Sequence, residues 1–213
     1  SSQQAIDFSE KHAASFASIG VHPHDTKDGY AQIAEIAAKG SEKLVAVGEI
    51  GLDYFYSHSP REVQIEALKV QIEVALRHDL PVIFHVREAF DDFWPIFESY
   101  KGIRGVLHSF TDSKENMERA TAAGLYIGVN GISTFTKDEA QKAMFDAIPL
   151  DKILFETDAP FLTPAPYRGK VNEPAYVRIV AEFHAQRRGI SLEEIANAST
   201  ANARALFNLT AQS

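Results

Sequence analysis

The chain has 213 residues, 45% of them hydrophobic and 23% charged, the profile of an ordinary globular domain and not of a disordered or fibrous chain. It contains no cysteine, which removes disulfides, zinc–thiolate sites and thiol nucleophiles together and fits a reducing compartment. The net charge of −8 excludes a protein that holds nucleic acid mainly by a basic surface, so a phosphodiester substrate here needs local cations, and bound metal ions are the obvious source. No apolar run approaches the roughly 20 residues that span a bilayer, and residues 1–12 are polar with no signal-peptide core. The expectation is one cytoplasmic domain over residues 1–213 with no membrane partner.

In chain order, residues 3–12 read as a helix that leads into a first apolar run at 16–21. A second run covers 44–48. The stretch 61–79 is amphipathic, with Ile65, Leu68, Ile72, Ala75 and Leu76 on one face, and Ser59-Pro60-Arg61-Glu62 ahead of it has the spacing of a capped helix start. Further runs follow at 81–86, Gly105–Leu107, 125–129 and Ile153–Phe155. Thr136-Lys137-Asp138-Glu139 and Ser191-Leu192-Glu193-Glu194 repeat the capping spacing, while Gly124 and Gly189 mark helix stops. Strands that are apolar on both faces and alternate with helices imply a covered parallel sheet. Six runs are present where a closed (β/α) barrel needs eight strands and typically about 250 residues. The fold class expected is therefore α/β, a TIM-like barrel with about six βα units in this chain and the first two absent. Such an open sheet exposes apolar edges, which predicts self-association.

Nearly every run ends in a residue that binds metal or moves protons. Residues 19–21 lead to His22, with His24 close behind. Residues 45–48 lead to Glu49, with Asp53 four residues on. Residues 82–84 lead to His85 and then Arg87. Residues 105–107 lead to His108, and 153–155 run into Glu156-Thr157-Asp158. In parallel α/β folds the C-terminal strand ends line the ligand site, and a carboxylate or imidazole is costly there without a partner. Two His and two carboxylates, His85, His108, Glu49 and Asp158, make a mixed N/O site. It suits Zn²⁺, Mn²⁺, Fe²⁺ or Ni²⁺ better than Mg²⁺, and a carboxylate in it can bridge two ions. Each residue also has a plainer reading: a packed, hydrogen-bonded histidine, an exposed acid at Glu49, or an Asp158 that caps the turn at Ala159-Pro160. His24 and Asp25 read as loop. Glu156 reads either as support for a ligand or as a partner for an arginine. The segment 164–174 is either a rigid loop presenting Arg168, Lys170 and Asn172 to a phosphate or a solvated surface loop. Trp94 and the phenylalanines read as core.

The motifs together resemble one family. They are Gly20-Val21-His22-Pro23-His24, Gly48-Glu49-Ile50-Gly51-Leu52-Asp53-Tyr54, Phe84-His85-Val86-Arg87, His108-Ser109-Phe110 and Glu156-Thr157-Asp158-Ala159-Pro160-Phe161-Leu162. The loop Arg168-Gly169-Lys170-Val171-Asn172-Glu173-Pro174 and the ending Thr200-Ala201-Asn202-Ala203-Arg204-Ala205-Leu206-Phe207 complete the set. In this order, over essentially the whole chain, they resemble the TatD-type deoxyribonucleases of the amidohydrolase superfamily. The resemblance implies a TIM-like barrel with one or two divalent ions (Zn, Mn, Mg, Ni or Fe) that hydrolyses DNA phosphodiesters, single-stranded or at an end, as an exonuclease. It implies that Glu49 bridges the ions, that His85 and His108 hold one ion, and that Asp158 holds the other and helps to activate water. Glu49 and Asp158 are then the catalytic carboxylates, with His22, Arg87, Arg168 and Lys170 on the substrate. The chain departs from the family at one point: no His-x-His pair stands on an early strand end, and His22-Pro23-His24, which has the spacing, belongs to a later motif. Two other readings follow, a D-aminoacyl-tRNA deacylase with the same ligands, or a truncated, inactive barrel acting as a binding module.

Overall fold

The computed structural model describes residues 1–56 and 58–209. It divides into two compact units, Ser1–Gly105 and Val106–Ser213. Every strand is followed in sequence by at least one helix, the βα alternation read from the sequence.

In the first unit, helix α1 (Ser2–Lys11) precedes strand β1 (Ala17–Ile19). A 3-10 turn (Pro23–Asp28) and α2 (Gln32–Lys39) lead to β2 (Leu44–Asp53), then α3 (Arg61–Arg77), β3 (Val82–Arg87) and α4 (Phe90–Ser99). The strands are parallel in the order β1-β2-β3. Their side chains are apolar and covered on both sides: Ile19, Val47, Ile50, Leu52 and Phe84 have no exposed surface. Helix α3 packs on β2 through Leu68, Ile72 and Ala75, as its apolar face requires. Phe84, Phe93, Trp94 and Phe97 form an aromatic cluster with centroids 5.1–6.1 Å apart, and each ring buried there is worth about 1.5–3 kcal/mol. Trp94 is core, as expected.

Two local expectations fail here. Strand β2 does not stop at Gly48 but runs on to Asp53, because Ile50 and Leu52 remain fully buried beyond the half-buried Glu49. Glu49 therefore lies mid-strand, and Asp53 becomes the strand end. Nor does Ser59 cap α3: its hydroxyl donates to the His24 carbonyl at 2.7 Å and accepts from the Lys27 N–H at 3.2 Å, and Pro60 takes the cap position without a side-chain bond.

The second unit begins within β4 (Gly105–Leu107) and contains α5 (Lys114–Ala122), β5 (Tyr126–Val129), α6 (Glu139–Ala147), β6 (Ile153–Phe155), α7 (Val177–Arg188) and α8 (Leu192–Phe207). Its strands are parallel in the order β4-β5-β6. Ala181, Ala185 and Ile195 pack with Leu150, Phe155, Ile190 and Leu192 to join α7 and α8 to the sheet. Ser191 caps α8 by accepting from the Glu194 N–H at 3.0 Å. Helix α6 is capped by Asp138 and not by Thr136, since the Asp138 carboxylate reaches the N–H groups of Ala140 and Gln141. Gly124 and Gly189 adopt positive φ just past α5 and α7, the helix stops expected of them.

Candidate metal and substrate site

The first unit gathers His22 and His24 just past β1, Glu49 and Asp53 from the middle and end of β2, and His85, which lies inside β3 and not at its end. The centre of the cluster is Asp53, which is 1% exposed. Its Oδ2 accepts from His24 Nε2 at 2.8 Å and His85 Nε2 at 2.9 Å. Its Oδ1 accepts from the N–H groups of Phe55 and Tyr56, each at 3.0 Å. Burial alone would raise the pKa of this carboxyl. The hydrogen bonds from His85, Tyr56 and His24 outweigh it and hold the group well below the usual carboxylate range. His85 presents its other nitrogen, Nδ1, to Glu49 Oε1 at 2.8 Å. Burial works against charge on His85, but its bonds to Asp53 and Glu49 prevail and raise its pKa.

His22 Nε2 lies 3.6 Å from Glu49 Oε1, and ligand atoms of His22, Glu49 and His85 all fall within 4.8 Å of one another. Ligand bonds of about 2.0–2.2 Å put two donors of one ion roughly 3 Å apart, so the spacings of 2.8 and 3.6 Å suit a shared ion. Glu49 and His85 meet the chemistry of that position fully. With Nε2–H donated to Asp53, a neutral His85 would offer its Nδ1 lone pair to an ion shared with Glu49, the usual carboxylate–histidine–metal arrangement. His22 fits less well, because its Nδ1 accepts from the His24 N–H at 3.2 Å. The neutral ring then carries its proton on Nε2 and is a donor there, not a ligand. Burial, then the neighbouring His85, push His22 down to about 4, so the neutral form is the relevant one.

Two glutamines that the sequence reading passed over fix the backbone beneath this cluster. Gln64 and Gln71 lie two turns apart on the buried face of α3. Gln64 accepts from the Asp53 N–H at 2.8 Å and donates to the Asp53 carbonyl at 3.1 Å. Gln71 does the same for Val21, the residue before His22. The available signal was two amides spaced seven apart within an otherwise apolar helix face. A cavity of about 650 Å³, lined in part by Ser2, Gly20, His22 and Glu49, opens beside the same strand ends.

The second unit gathers His108, Glu156 and Asp158. Glu156 Oε2 accepts from His108 Nδ1 at 2.8 Å, and its Oε1 accepts from the Ser109 N–H at 2.6 Å. Glu156 therefore orients His108, the supporting role of its two readings, and among the described residues no arginine pairs with it. His108 Nε2 is left facing Asp158 Oδ1 at 3.7 Å, again a separation two ligands of one ion adopt. Asp158 sits at φ 58°, in the left-handed region, where a short polar side chain is tolerated.

The expected substrate residues fare differently. Arg87 lies over the Phe55 ring, its Cζ 3.8 Å from the centroid. Arg168 lies over Phe135 at 3.7 Å and donates to the Thr163 carbonyl at 3.0 Å. Lys170 is 5.2 Å from the centroid of Tyr167. Asn172 is not offered to a phosphate: it is buried and donates to the carbonyls of Thr157 and Phe161, tying the loop together. His24, read as loop, is a member of the cluster. Phe55 and Phe161, read as core, are exposed.

The model of the family described as TatD related DNase matches residues 1–208. The chain belongs to the TatD family. A Bacillus subtilis relative, the uncharacterized metal-dependent hydrolase YabD, is 40% identical over 212 residues, 97% of this chain and 82% of its own length. The Citrobacter rodentium protein named 3'-5' ssDNA/RNA exonuclease TatD is 34% identical over 221 residues, 100% of this chain and 84% of its own. Among solved structures, YJJV, a TatD homolog from Escherichia coli K12, superposes with a TM-score of 0.90 at 30% identity, over 98% of this chain and 82% of its own. The TatD-family chain is thus a metal-dependent hydrolase with an α/β fold, and that fold also resembles the structure of an uncharacterized amidohydrolase from Saccharomyces cerevisiae, with a TM-score of 0.80 at 22% identity. These matches do not support the expectation that two leading βα units are absent. Among the described residues, no helix is long and apolar enough to cross a membrane.

Proposed function

We propose that this TatD-family chain is a cytoplasmic exonuclease that hydrolyses DNA phosphodiesters with one or two divalent ions. Glu49, His85, His108 and Asp158 are the ligands in this reading, and Glu49 and Asp158 are the catalytic carboxylates. The observation that carries it is His85, gripped through Nε2 by the buried Asp53 and turned through Nδ1 onto Glu49. His108 repeats the arrangement, with Glu156 on Nδ1 and Asp158 beyond Nε2. Packing alone has no need of two imidazoles that are each oriented by one carboxylate and aimed at another. Glu49 with His85, and His108 with Asp158, would each hold an ion, which would supply positive charge for the nonbridging phosphoryl oxygens and acidify a bound water. Asp158 Oδ1 accepts the proton of the attacking water. His22 Nε2–H donates to a phosphoryl oxygen, the role its tautomer suits. Arg87, Arg168 and Lys170 meet the substrate's charge. The name of the Citrobacter relative supports nucleic acid as the substrate class.

The test is hydrolysis of an end-labelled DNA strand by metal-stripped protein reloaded in turn with Mn²⁺, Zn²⁺, Mg²⁺, Ni²⁺ and Fe²⁺, beside Glu49→Ala. Stepwise shortening that needs metal and drops at least about 100-fold in the variant supports the reading. Full activity in Glu49→Ala overturns the ligand assignment. Cleavage of D-aminoacyl-tRNA with none of DNA overturns the substrate.

A further inference from the structure

The loop that leaves β2 carries two aromatic rings that the packing does not consume. Phe55 is 49% exposed and Tyr56 42%. They meet edge to face, 4.7 Å apart at 86°. Arg87 covers Phe55 at 3.8 Å and reaches Tyr56 at 5.1 Å. Tyr56 stacks on His58 at 5.5 Å and 18°, and both rings touch His24. An exposed aromatic residue taken singly is unremarkable. Here the rings are held in place, because the N–H groups of Phe55 and Tyr56 both bind Asp53 Oδ1. The other oxygen of that carboxylate holds His85. One buried carboxylate therefore fixes both the candidate ligand and the aromatic loop, so the rings stand at a set position relative to the candidate ion.

We infer that Phe55 and Tyr56, backed by Arg87 and His58, form a stacking platform for an unpaired nucleobase of a single-stranded substrate. The inference rests on the nucleic-acid reading of the site. Its physical basis is what a chain of net charge −8 lacks. Binding by phosphate neutralisation needs a basic groove, whereas stacking on a ring face works with any base and without net charge. Arg87 backs the two rings through its own cation–π contacts with them, which leaves a base to stack on a face it does not cover. A base inside a duplex has both faces covered, so the platform selects single strands or frayed ends.

Two measurements on the full chain test this. The first is binding, by the metal-free protein, of a single-stranded oligonucleotide whose terminal base is 2-aminopurine, read as fluorescence quenching. The second is hydrolysis by the metal-loaded enzyme of a strand with a terminal base and of the same strand with an abasic end. The expected results are quenching on binding and a KM roughly tenfold or more higher for the abasic strand, the scale of one lost stack. Phe55→Leu/Tyr56→Leu keeps apolar bulk but no ring face, so a structural role would survive it. It should abolish the quenching and remove the discrimination between the strands through KM, with kcat changed by less than about threefold. Unchanged discrimination or quenching in that variant overturns the platform. Quenching that the variant loses, with no hydrolysis of either strand by the parent, upholds the platform and overturns the exonuclease reading instead.

Discussion

Gln71 holds the main chain of Val21 from both sides, with Oε1 accepting from its N–H at 2.7 Å and Nε2 donating to its carbonyl at 3.2 Å. The side chain acts as one more peptide group at the end of β1, where the ladder has stopped and His22 begins. Gln71→Leu leaves both backbone groups buried without partners and should cost about 2–4 kcal/mol in a urea melt. Gln71→Glu keeps an acceptor for the N–H but sets a second acceptor against the carbonyl, so it should fall between the two. A leucine variant as stable as the parent would show that Val21 finds other partners.

Asp53 is the most connected side chain of the first cluster, and its predicted effect is on metal binding as well as on the fold around it. Asp53→Asn keeps one acceptor for the two imidazoles and removes the charge that fixes the His85 tautomer. Ion affinity at Glu49 and His85 should fall about 10- to 100-fold, the usual effect of losing an orienting carboxylate. Equilibrium dialysis against Mn²⁺ measures it directly. Equal affinity in the two proteins would mean that Asp53 does not orient His85.

The sequence showed the strand-end residues because apolar runs that stop at a His or an acid are visible without any fold. Gly105–Leu107 and Ile153–Phe155 match the structure at both ends. Strand β2 was cut short because Glu49 interrupts the apolar pattern, and only packing shows that Ile50 and Leu52 continue it. Gln64 and Gln71 were missed for a related reason. A polar residue on an apolar helix face looks like noise until its partners, the backbone of Asp53 and Val21, are known to lie opposite. Ser59 had the right spacing for a cap, but its hydroxyl is taken by the His24 carbonyl and the Lys27 N–H, a tertiary demand that local propensity does not express.

Gly128 separates metal binding from stability in the second unit. A Cβ at this position would lie 2.7 Å from Glu156 Oε2 and 3.0 Å from its Cδ, the far end of a flexible side chain. Gly128→Ala should therefore push the Glu156 carboxylate aside at little cost to the fold, shifting stability by less than about 1 kcal/mol. His108 Nδ1 and the Ser109 N–H then lose their acceptor, and ion retention should drop about 10- to 100-fold. Gly51→Ala is the contrast. Its Cβ would stand 1.7 Å from the His85 carbonyl oxygen, at φ +155°, so that protein should fail to fold stably. Thermal melts beside metal analysis of both variants check the pair, and a Gly128→Ala protein that melts early while keeping its metal would contradict the account.

His184 gives the chain an acid-sensitive step away from the candidate ligands. The residue is fully buried on α7, with Nε2 2.9 Å from Ser133 Oγ and Nδ1 without a hydrogen-bond partner among the described residues. Burial, then the nearby Arg188 charge, push its pKa from 6.5 down to about 4. Between those values the unfolded chain takes up a proton that the folded chain refuses, so stability falls as pH falls. The slope is about 1.4 kcal/mol per pH unit, and the whole window is worth on the order of 3 kcal/mol. His184→Phe, placed among Phe145, Phe155 and Phe183, loses the Ser133 bond but also the titration. Its urea midpoint should start lower than the parent's at pH 7.5 and decline less steeply toward pH 4.5. Parallel declines in the two proteins would place the acid sensitivity elsewhere, because a phenylalanine has no proton to gain.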